Sequence, residues 1–423
     1  MSQQLKCVIF GDRDVIKKDD EIFSQVKRLI KYLIIHNIQP IILSNYLTKE
    51  RLDLEKELEE ECKQLQEEYP EEEYPEFVWI IAGRDGTPKK AKPESVQWVL
   101  NNYNFQSHEA IMIGNSKNDM ITAVNSGLLF VNASWYGKNT DYGFELDQPW
   151  KVARFVDVFC LRDNLWNYAI NSKGLEYYSL GIYGTREEKY NYSRDAKEAA
   201  KFGRGHLDFW MNYFLSAIYF SGLHKRIDYI ASYPSHRQGS ISSVMEQTIV
   251  TFAKCFRKTY LKDLIIRHTT AEKSAYARSG GKGDSLNHLN QLNTIRLNPS
   301  PLKNEKGERY KKSPLQPGKT VLLIDDFCTE GYSLEAARVY IEQTGANVIC
   351  LSLLKTICRD YKQIENIENI DKFDPFQPQT FSLSDIQTIE HSYSRYISTS
   401  ESHYEIREKL KRYDGWVKKY SEQ

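Results

Sequence analysis

The chain lacks the features that define several large classes of protein. Its seven cysteines are odd in number, scattered, and never spaced as a CxxC pair, which argues against a disulfide framework and a structural zinc site. No apolar run reaches the about 18 residues that a membrane span needs. The polar opening residues lead straight into a strand-like segment without a secretory leader, so the expectation is a cytoplasmic protein with no membrane contact. Net charge is missing too: 57 basic residues balance 57 acidic ones, and bulk charge selects no partner. Internal repeats and long low-complexity tracts are absent, which removes solenoids and disordered scaffolds.

The 423 residues that are present are 41% hydrophobic, enough to fill two or three separate cores. Charge is segregated along the chain. Residues 51–77 carry three basic and twelve acidic side chains, whereas 255–320 carry fourteen basic and five acidic ones. The acidic run reads as a solvated helix face. The basic run lies just before a phosphate-binding pattern and is the better functional candidate.

Short apolar segments at 6–10, 40–44, 77–82, 110–114 and 128–132 alternate with helical periodicity at 20–37, 48–68, 93–102 and 119–126. A Gly/Asn/Asp break at 136–150 marks a boundary, and 152–171 reads as helix. A second alternating region places strands at 178–183, 227–233, 264–267, 321–324 and 348–353, among helices at 195–202, 207–221, 240–259 and 334–344. Past 355 the alternation stops, and 385–396 and 404–420 read as amphipathic helices. The expected fold class is α/β: two doubly wound parallel-sheet domains plus a helical C-terminal tail. The expected divisions are 1–140, a helical connector 141–176, a second domain 177–356 and an extension 357–423.

In residues 321–334, VLLIDDFCTEGYSL, four apolar residues form a buried strand with Asp325 and Asp326 at its C-terminal end. A loop with Thr329, Gly331 and Ser333 follows, then a helix from Leu334. Open parallel sheets bind ligands at the carboxyl ends of their strands. Loop amides and a helix N-terminus favour an anion there, while the paired acids suit hydroxyls or a cation. The segment resembles the phosphoribosyl diphosphate motif of type I phosphoribosyltransferases, and the order of elements over 177–354 looks like their ComF-type, competence-associated branch. The resemblance implies that Asp325 and Asp326 hold the ribose hydroxyls and that Thr329, Glu330, Gly331, Tyr332 and Ser333 wrap the 5′-phosphate. It also implies phosphoribosyl diphosphate or a nucleotide as ligand, with Mg2+ as cofactor. Glu330 stands where the family usually has Thr, and Tyr332 where it often has Gly. The strand 227–233 followed by Pro234-Ser235-His236-Arg237 resembles the loop that holds diphosphate, with Ser235 and Arg237 as contacts. The basic, Gly-rich stretch 267–283 has the composition of a loop that closes over an anion, with Lys273 and Arg278 as phosphate contacts.

In the first 135 residues, Gly11-Asp12-Arg13-Asp14, Ser44-Asn45, Lys92-Pro93 and the run from Gly114 to Asp119 each follow a strand or open a helix, so all converge on one sheet edge. Carboxylates, a hydroxyl and a lysine gathered there suit phosphoryl transfer. The series resembles the haloacid dehalogenase superfamily. That resemblance implies Asp12 as nucleophile, Asp14 as general acid/base, Ser44, Asn45 and Lys92 as phosphate ligands, and Asp12, Asp14, Asn115 and Asp119 around Mg2+. A second alignment puts Gly11 at the nucleophile position and Arg13 at the second acid, and Asn115 stands where the family usually has Asp. Two function classes follow. One is a phosphoribosyltransferase carrying a phosphatase-like domain. The other is a catalytically degenerate, nucleotide-sensing module that acts through a protein partner or as an oligomer, as in bacterial stress or defence systems. The basic stretch 255–320, interleaved with Tyr260, Tyr276 and Tyr310, adds nucleic-acid association as a third reading.

Overall fold

The computed structural model describes residues 5–421 except 19–20, 23, 46–48, 69, 71–72, 85, 141, 237–242, 272–286, 305–306, 369–372 and 399–400. The first sheet runs Val78–Ile81, Gln39–Ser44, Cys7–Phe10, Ala110–Gly114, Leu129–Ala133, Phe144–Leu146, with every pairing parallel. Its strands are apolar on both faces because both faces are covered. Cys7 and Ile9 face helices Pro93–Asn102 and Lys117–Asn125, through Val96, Val99, Leu100, Met120 and Ala123. Val8 and Phe10 face the other way, where helix Ser24–Ile35 brings Val26, Leu29, Ile30, Leu33 and Ile34.

The second sheet runs Thr259–Tyr260, Tyr229–Ser232, Thr320–Cys328, Asn347–Thr356, Leu175–Tyr183, Tyr168–Ser172. Its first five strands are parallel and the last is antiparallel. That last strand corrects the expectation of helix through 171. Helix Pro149–Phe155 runs into a π-helical turn, Val156–Cys160, and a strand follows because Tyr168 and Ile170 alternate into the core. A two-residue hairpin at Lys173 and Gly174, both at positive φ, then turns the chain back. Segment 264–267 is also placed differently. Ile265–Arg267 pairs antiparallel with Ile295–Leu297 outside the parallel sheet.

The tail is not purely helical. Instead of a helix over 385–396, strand Ile386–His391 pairs antiparallel with Tyr361–Ile367, and only Tyr393–Tyr396 and Ser402–Ser421 are helical. The pairing wins because Tyr361, Ile364 and Ile367 need a buried position, and the Ile364 amide donates to the buried Glu335 carboxylate at 2.8 Å. A bulge between Ile364 and Asn366 shifts the register and hides the period-two signal.

The two sheets share one core. Helix Leu207–Phe220 buries every residue except Leu207, Asp208 and Met211, as a helix that is apolar nearly all round must. It reaches the first sheet through Tyr219, whose hydroxyl lies between the carbonyls of Ser107 (2.6 Å) and Ala110. Among the described residues no helix is long and apolar enough to cross a membrane.

The C-terminal helix is tied down by polar contacts. Lys409 Nζ donates to the Asp157 carbonyl at 2.6 Å, and Trp416 Nε1 donates to the Asp157 carboxylate at 2.8 Å. His206 joins three helices, with Nδ1 2.8 Å from Asp195 and Nε2 2.9 Å from Asp414. Both ring nitrogens can donate only in the imidazolium form. Burial pulls the His206 pKa down, but hydrogen bonds and charge from Asp195 and Asp414 outweigh it and hold the pKa above the ordinary value. A raised folded-state pKa contributes stability below the unfolded pKa of about 6.5, and that stability is lost as pH rises through the folded pKa. The urea midpoint of the wild type should therefore fall between pH 6 and 8, and the fall should be smaller in His206→Gln.

Candidate functional site

In the first domain the carboxyl edge of the sheet brings together Asp12, Ser44, Lys90 and Asp119. Ser44 ends its strand, is buried, and donates from Oγ to Asp12 Oδ2 at 2.9 Å. Asp119 is the third residue of helix Lys117–Asn125 and forms a capping box with Ser116, whose Oγ donates to Asp119 Oδ2 at 2.8 Å. Lys90 Nζ lies 2.6 Å from Asp119 Oδ1 and donates to the Leu43 carbonyl at 2.9 Å. Asn45 Oδ1 accepts the Lys90 backbone N–H at 2.9 Å, so Asn45 fastens the lysine's loop rather than facing a ligand.

The expected phosphate lysine, Lys92, is exposed at the N-cap of Pro93–Asn102, and Lys90 enters the site in its place. The Lys-Pro pair drew attention to the helix start, but it is the loop before it that turns inward. Asp14 also stands apart. It adopts φ 57°, and its carboxylate faces Asn139 at 3.5 Å and Arg13 at 3.8 Å. Asn115 is fully buried and spends its amide on backbone, donating to the carbonyls of Ala133 at 2.7 Å, Gly137 at 2.8 Å and Asp14 at 3.2 Å.

Gly11 decides the chemistry of this edge. Its amide donates to the Ile113 carbonyl at 2.7 Å, and a Cβ added there would lie 2.8 Å from Asp119 Oδ2. Of the residues following the first strand, Gly11 therefore points at Asp119, while Asp12 points at Ser44. These donors do not fit a magnesium ion, which is held through carboxylates in near-octahedral geometry. Gly11 offers no carboxylate, Asn115 is a neutral amide tied to carbonyls, and Asp119 is shared between Lys90 and Ser116. Among the described residues no group of three or more His, Cys, Asp or Glu side chains is placed to hold a metal ion.

In the second domain, Thr320–Cys328 carries Asp325 and Asp326 beyond its apolar start, both half-buried. Asp325 Oδ1 accepts the Asp326 N–H and Asp326 Oδ1 accepts the Phe327 N–H, each at 2.8 Å. Burial, and then the charge of Asp326 beside it, push the Asp325 pKa well above the usual carboxylate range. Lys201 is a nearby cation, with Nζ 3.9 Å from Asp326 Oδ2 and 4.8 Å from the Phe327 ring centre. The adjacent strand Tyr229–Ser232 ends at the same edge, and Tyr233 donates its N–H to the Ile324 carbonyl at 2.8 Å. The loop with Ser235 therefore begins next to the acid pair.

The loop after the acids is held from several sides. Thr329 Oγ1 lies 3.1 Å from Thr356 Oγ1. Glu330 turns its carboxylate to Arg359 at 3.6 Å and Lys362 at 3.8 Å, and its carbonyl accepts the Lys362 N–H at 2.9 Å. Gly331 adopts φ 87° at the start of helix Tyr332–Glu342, and a Cβ there would meet the Tyr361 ring at 2.6 Å. Gly331 is thus required by the ring beneath the loop as well as by the turn. Tyr332 packs edge-on against His288 with centroids 4.7 Å apart, and Ser333 hydrogen-bonds Tyr233. Arg237, Lys273 and Arg278 lie outside the described residues. Tyr276 does as well. Tyr260 is buried, and Lys262, Arg309 and Lys319 pair with Glu246, Asp263 and Asp228, so part of the basic stretch is spent on internal contacts.

A family model for haloacid dehalogenase-like hydrolases matches residues 19–133, and the N-terminal region carries a domain of that kind. The match begins after Gly11–Asp14. Among curated relatives, phosphoglycolate phosphatase of Vibrio vulnificus strain YJ016 is 31% identical over 77 residues, 18% of this chain and 33% of that protein. The enzyme of the same name from Pectobacterium atrosepticum is 35% identical over 86 residues, 20% and 36% of the two chains. The chain thus spans about a third of the length of the curated relatives it matches. Among solved structures, D,D-heptose 1.7-bisphosphate phosphatase from B. bronchiseptica, complexed with magnesium and phosphate, aligns over 35% of this chain and 96% of its own, at 12% identity and a TM-score of 0.28. A hydrolase of the haloacid dehalogenase superfamily from Ehrlichia chaffeensis covers 37% and 98%, at 17% identity and a TM-score of 0.28.

Breaking the buried Lys90–Asp119 pair strands a charge and also removes a helix cap. Asp119→Ala should lower the unfolding free energy by about 3 kcal/mol or more, measured by urea denaturation.

Proposed function

We propose that the C-terminal domain binds phosphoribosyl diphosphate or a nucleotide and acts as a phosphoribosyltransferase, and that the N-terminal haloacid dehalogenase-like domain does not turn over phosphate through an aspartyl intermediate. The observation that carries the first part is the Asp325–Asp326 pair, which stands at the carboxyl end of a central strand between two loops. Two adjacent acids, the Asp325 carboxyl pushed up by burial and by the neighbouring Asp326 charge, favour hydroxyl donors or a cation. The loop Thr329–Ser333 continues from the acid pair, and the loop from Tyr233 begins beside it. The fit for magnesium here differs from that in the first domain. Asp325 and Asp326 would hold it alongside substrate phosphates, and it would neutralise charge on the departing diphosphate. The chain's own part is to grip the ribose hydroxyls through the acids and to fix the 5′-phosphate on main-chain amides, which places C1 where positive charge develops.

The second part rests on Gly11, since an aspartyl-phosphate needs a carboxylate where that residue points. Glu330, a carboxylate beside the phosphate loop, favours the related reading in which the C-terminal domain binds its ligand as a sensor.

Calorimetry with phosphoribosyl diphosphate and Mg2+ tests the reading. Binding should be accompanied by proton release, seen as a heat that varies with buffer ionisation enthalpy, and should weaken as pH falls because Asp325 is then protonated more fully. The Asp325→Asn, Asp326→Asn double variant should bind at least about tenfold more weakly, as expected on losing charge-assisted hydrogen bonds, and lose the proton linkage. Equal binding by this variant, or none by the wild type, rules the assignment out.

A further inference from the structure

Two buried cations lie under the loops that flank the acid pair, and among the described residues neither is within ion-pair distance of a carboxylate. Lys355, near the end of strand Asn347–Thr356, is fully buried. Its Nζ donates to the Thr329 carbonyl and, at 2.5 Å, to the Arg359 carbonyl, with the Tyr168 and Tyr393 ring centres 5.5 and 5.9 Å away. Arg267 is 3% exposed. Its guanidinium donates to the Ser235 carbonyl at 2.7 Å, to Thr294 Oγ1 at 2.6 Å, and to the Tyr233 hydroxyl and Gln291 Oε1, each at 3.0 Å. Among the described residues, the acceptors of both cations are neutral. The contrast is local: Arg338, buried in the helix that follows the Thr329–Ser333 loop, is paired with Glu335 at 2.5 Å and Glu342 at 2.6 Å. Burying an ammonium or a guanidinium without a counter-ion is costly, and an anion bound close by would offset that cost.

Resting on the reading that this edge takes a phosphoribosyl ligand, we propose that Lys355 and Arg267 are positioning residues, each dedicated to one anionic end of that ligand. Lys355 serves the 5′-phosphate loop and Arg267 serves the diphosphate loop. Each works through one peptide unit. In a trans peptide the carbonyl and the following N–H point in opposite directions. Lys355 draws the Thr329 carbonyl inward and so turns the Glu330 N–H outward. Arg267 draws the Ser235 carbonyl inward and turns the His236 N–H outward. The cation sets the direction of the amide, and its charge reaches the phosphate through that amide. The ligand class that fits has two separate phosphate groups, one on each loop, with hydroxyls between them for the acids. This accounts for the Glu330 carboxylate being held aside by Arg359 and Lys362, since only its N–H is needed in the cradle.

The test uses the full chain and two half-ligands, ribose 5-phosphate and inorganic diphosphate, measured by calorimetry against the intact phosphoribosyl diphosphate. Lys355→Met should weaken ribose 5-phosphate about tenfold or more and change diphosphate less than threefold. Arg267→Met should do the reverse, and Arg267→Lys should recover part of the diphosphate affinity. Circular dichroism and thermal unfolding establish that each variant is folded. If a Met variant is not folded, Lys355→Gln and Arg267→Gln keep a donor to the carbonyl while removing the charge, and the same split is expected. Loss of both half-ligands to the same extent in each variant overturns the inference in favour of a general structural role. Unchanged binding in both variants also overturns it, while leaving the phosphoribosyl reading intact. A wild type that binds neither half-ligand nor phosphoribosyl diphosphate sinks the site reading itself, and the inference with it.

Discussion

Strand Thr320–Cys328 is hydrogen-bonded along both edges, to Tyr229–Ser232 on one side and Asn347–Thr356 on the other, and that double pairing determines where Asp325 and Asp326 can stand. The covalent chain makes the two acids neighbours, and the register from Thr320 to Cys328 fixes them at the point where the sheet opens. The cost appears in the raised proton affinity of Asp325, and the apolar run before it, together with the buried Glu335–Arg338 pair in the next helix, supplies the stability that offsets it. Unfavourable charge concentrated at one edge of a well-packed sheet is typical of a binding site.

The first domain shows a different balance. Its edge keeps a hydroxyl, a lysine and a buried acid, but Asp119 has become the partner of Lys90 and the cap of its own helix, and no side chain projects from Gly11. The domain is nonetheless bound into the whole. The face of its sheet that carries Val8 and Phe10 belongs to the same continuous core as the second sheet, and Tyr219 and His224 reach across to carbonyls of the first domain. Packing thus ties this edge to the rest of the fold independently of any chemistry carried out there.

Much of the framework was legible in the residues. Alternating apolar strands and amphipathic helices predicted two α/β regions, and the acid pair was visible as two carboxylates ending an apolar run. Where local pattern failed, long-range pairing had decided the outcome. The strand Ile386–His391 exists only because Tyr361–Ile367 lies beside it, and Tyr168–Ser172 only because a Lys-Gly hairpin returns onto it. Of the site residues, Lys90, Lys201 and Lys355 carry no recognisable motif, and Arg267 is one cation among many in a basic stretch. Lys355 ends a strand with no motif around it, and Lys90 is two residues from the lysine that the Lys-Pro pair suggested.

The sequence by itself determined the alternation of strands and helices, the segregation of charge and the presence of paired acids next to a Gly-containing loop, because these depend on neighbours a few residues apart. Only the tertiary structure decided that Gly11 rather than Asp12 points at Asp119, that Glu330 turns toward Arg359 and Lys362, and that two buried cations donate to carbonyls beneath the loops. A side chain's direction and its counter-charge come from groups far away in the chain, and those meet only when both sheets have formed.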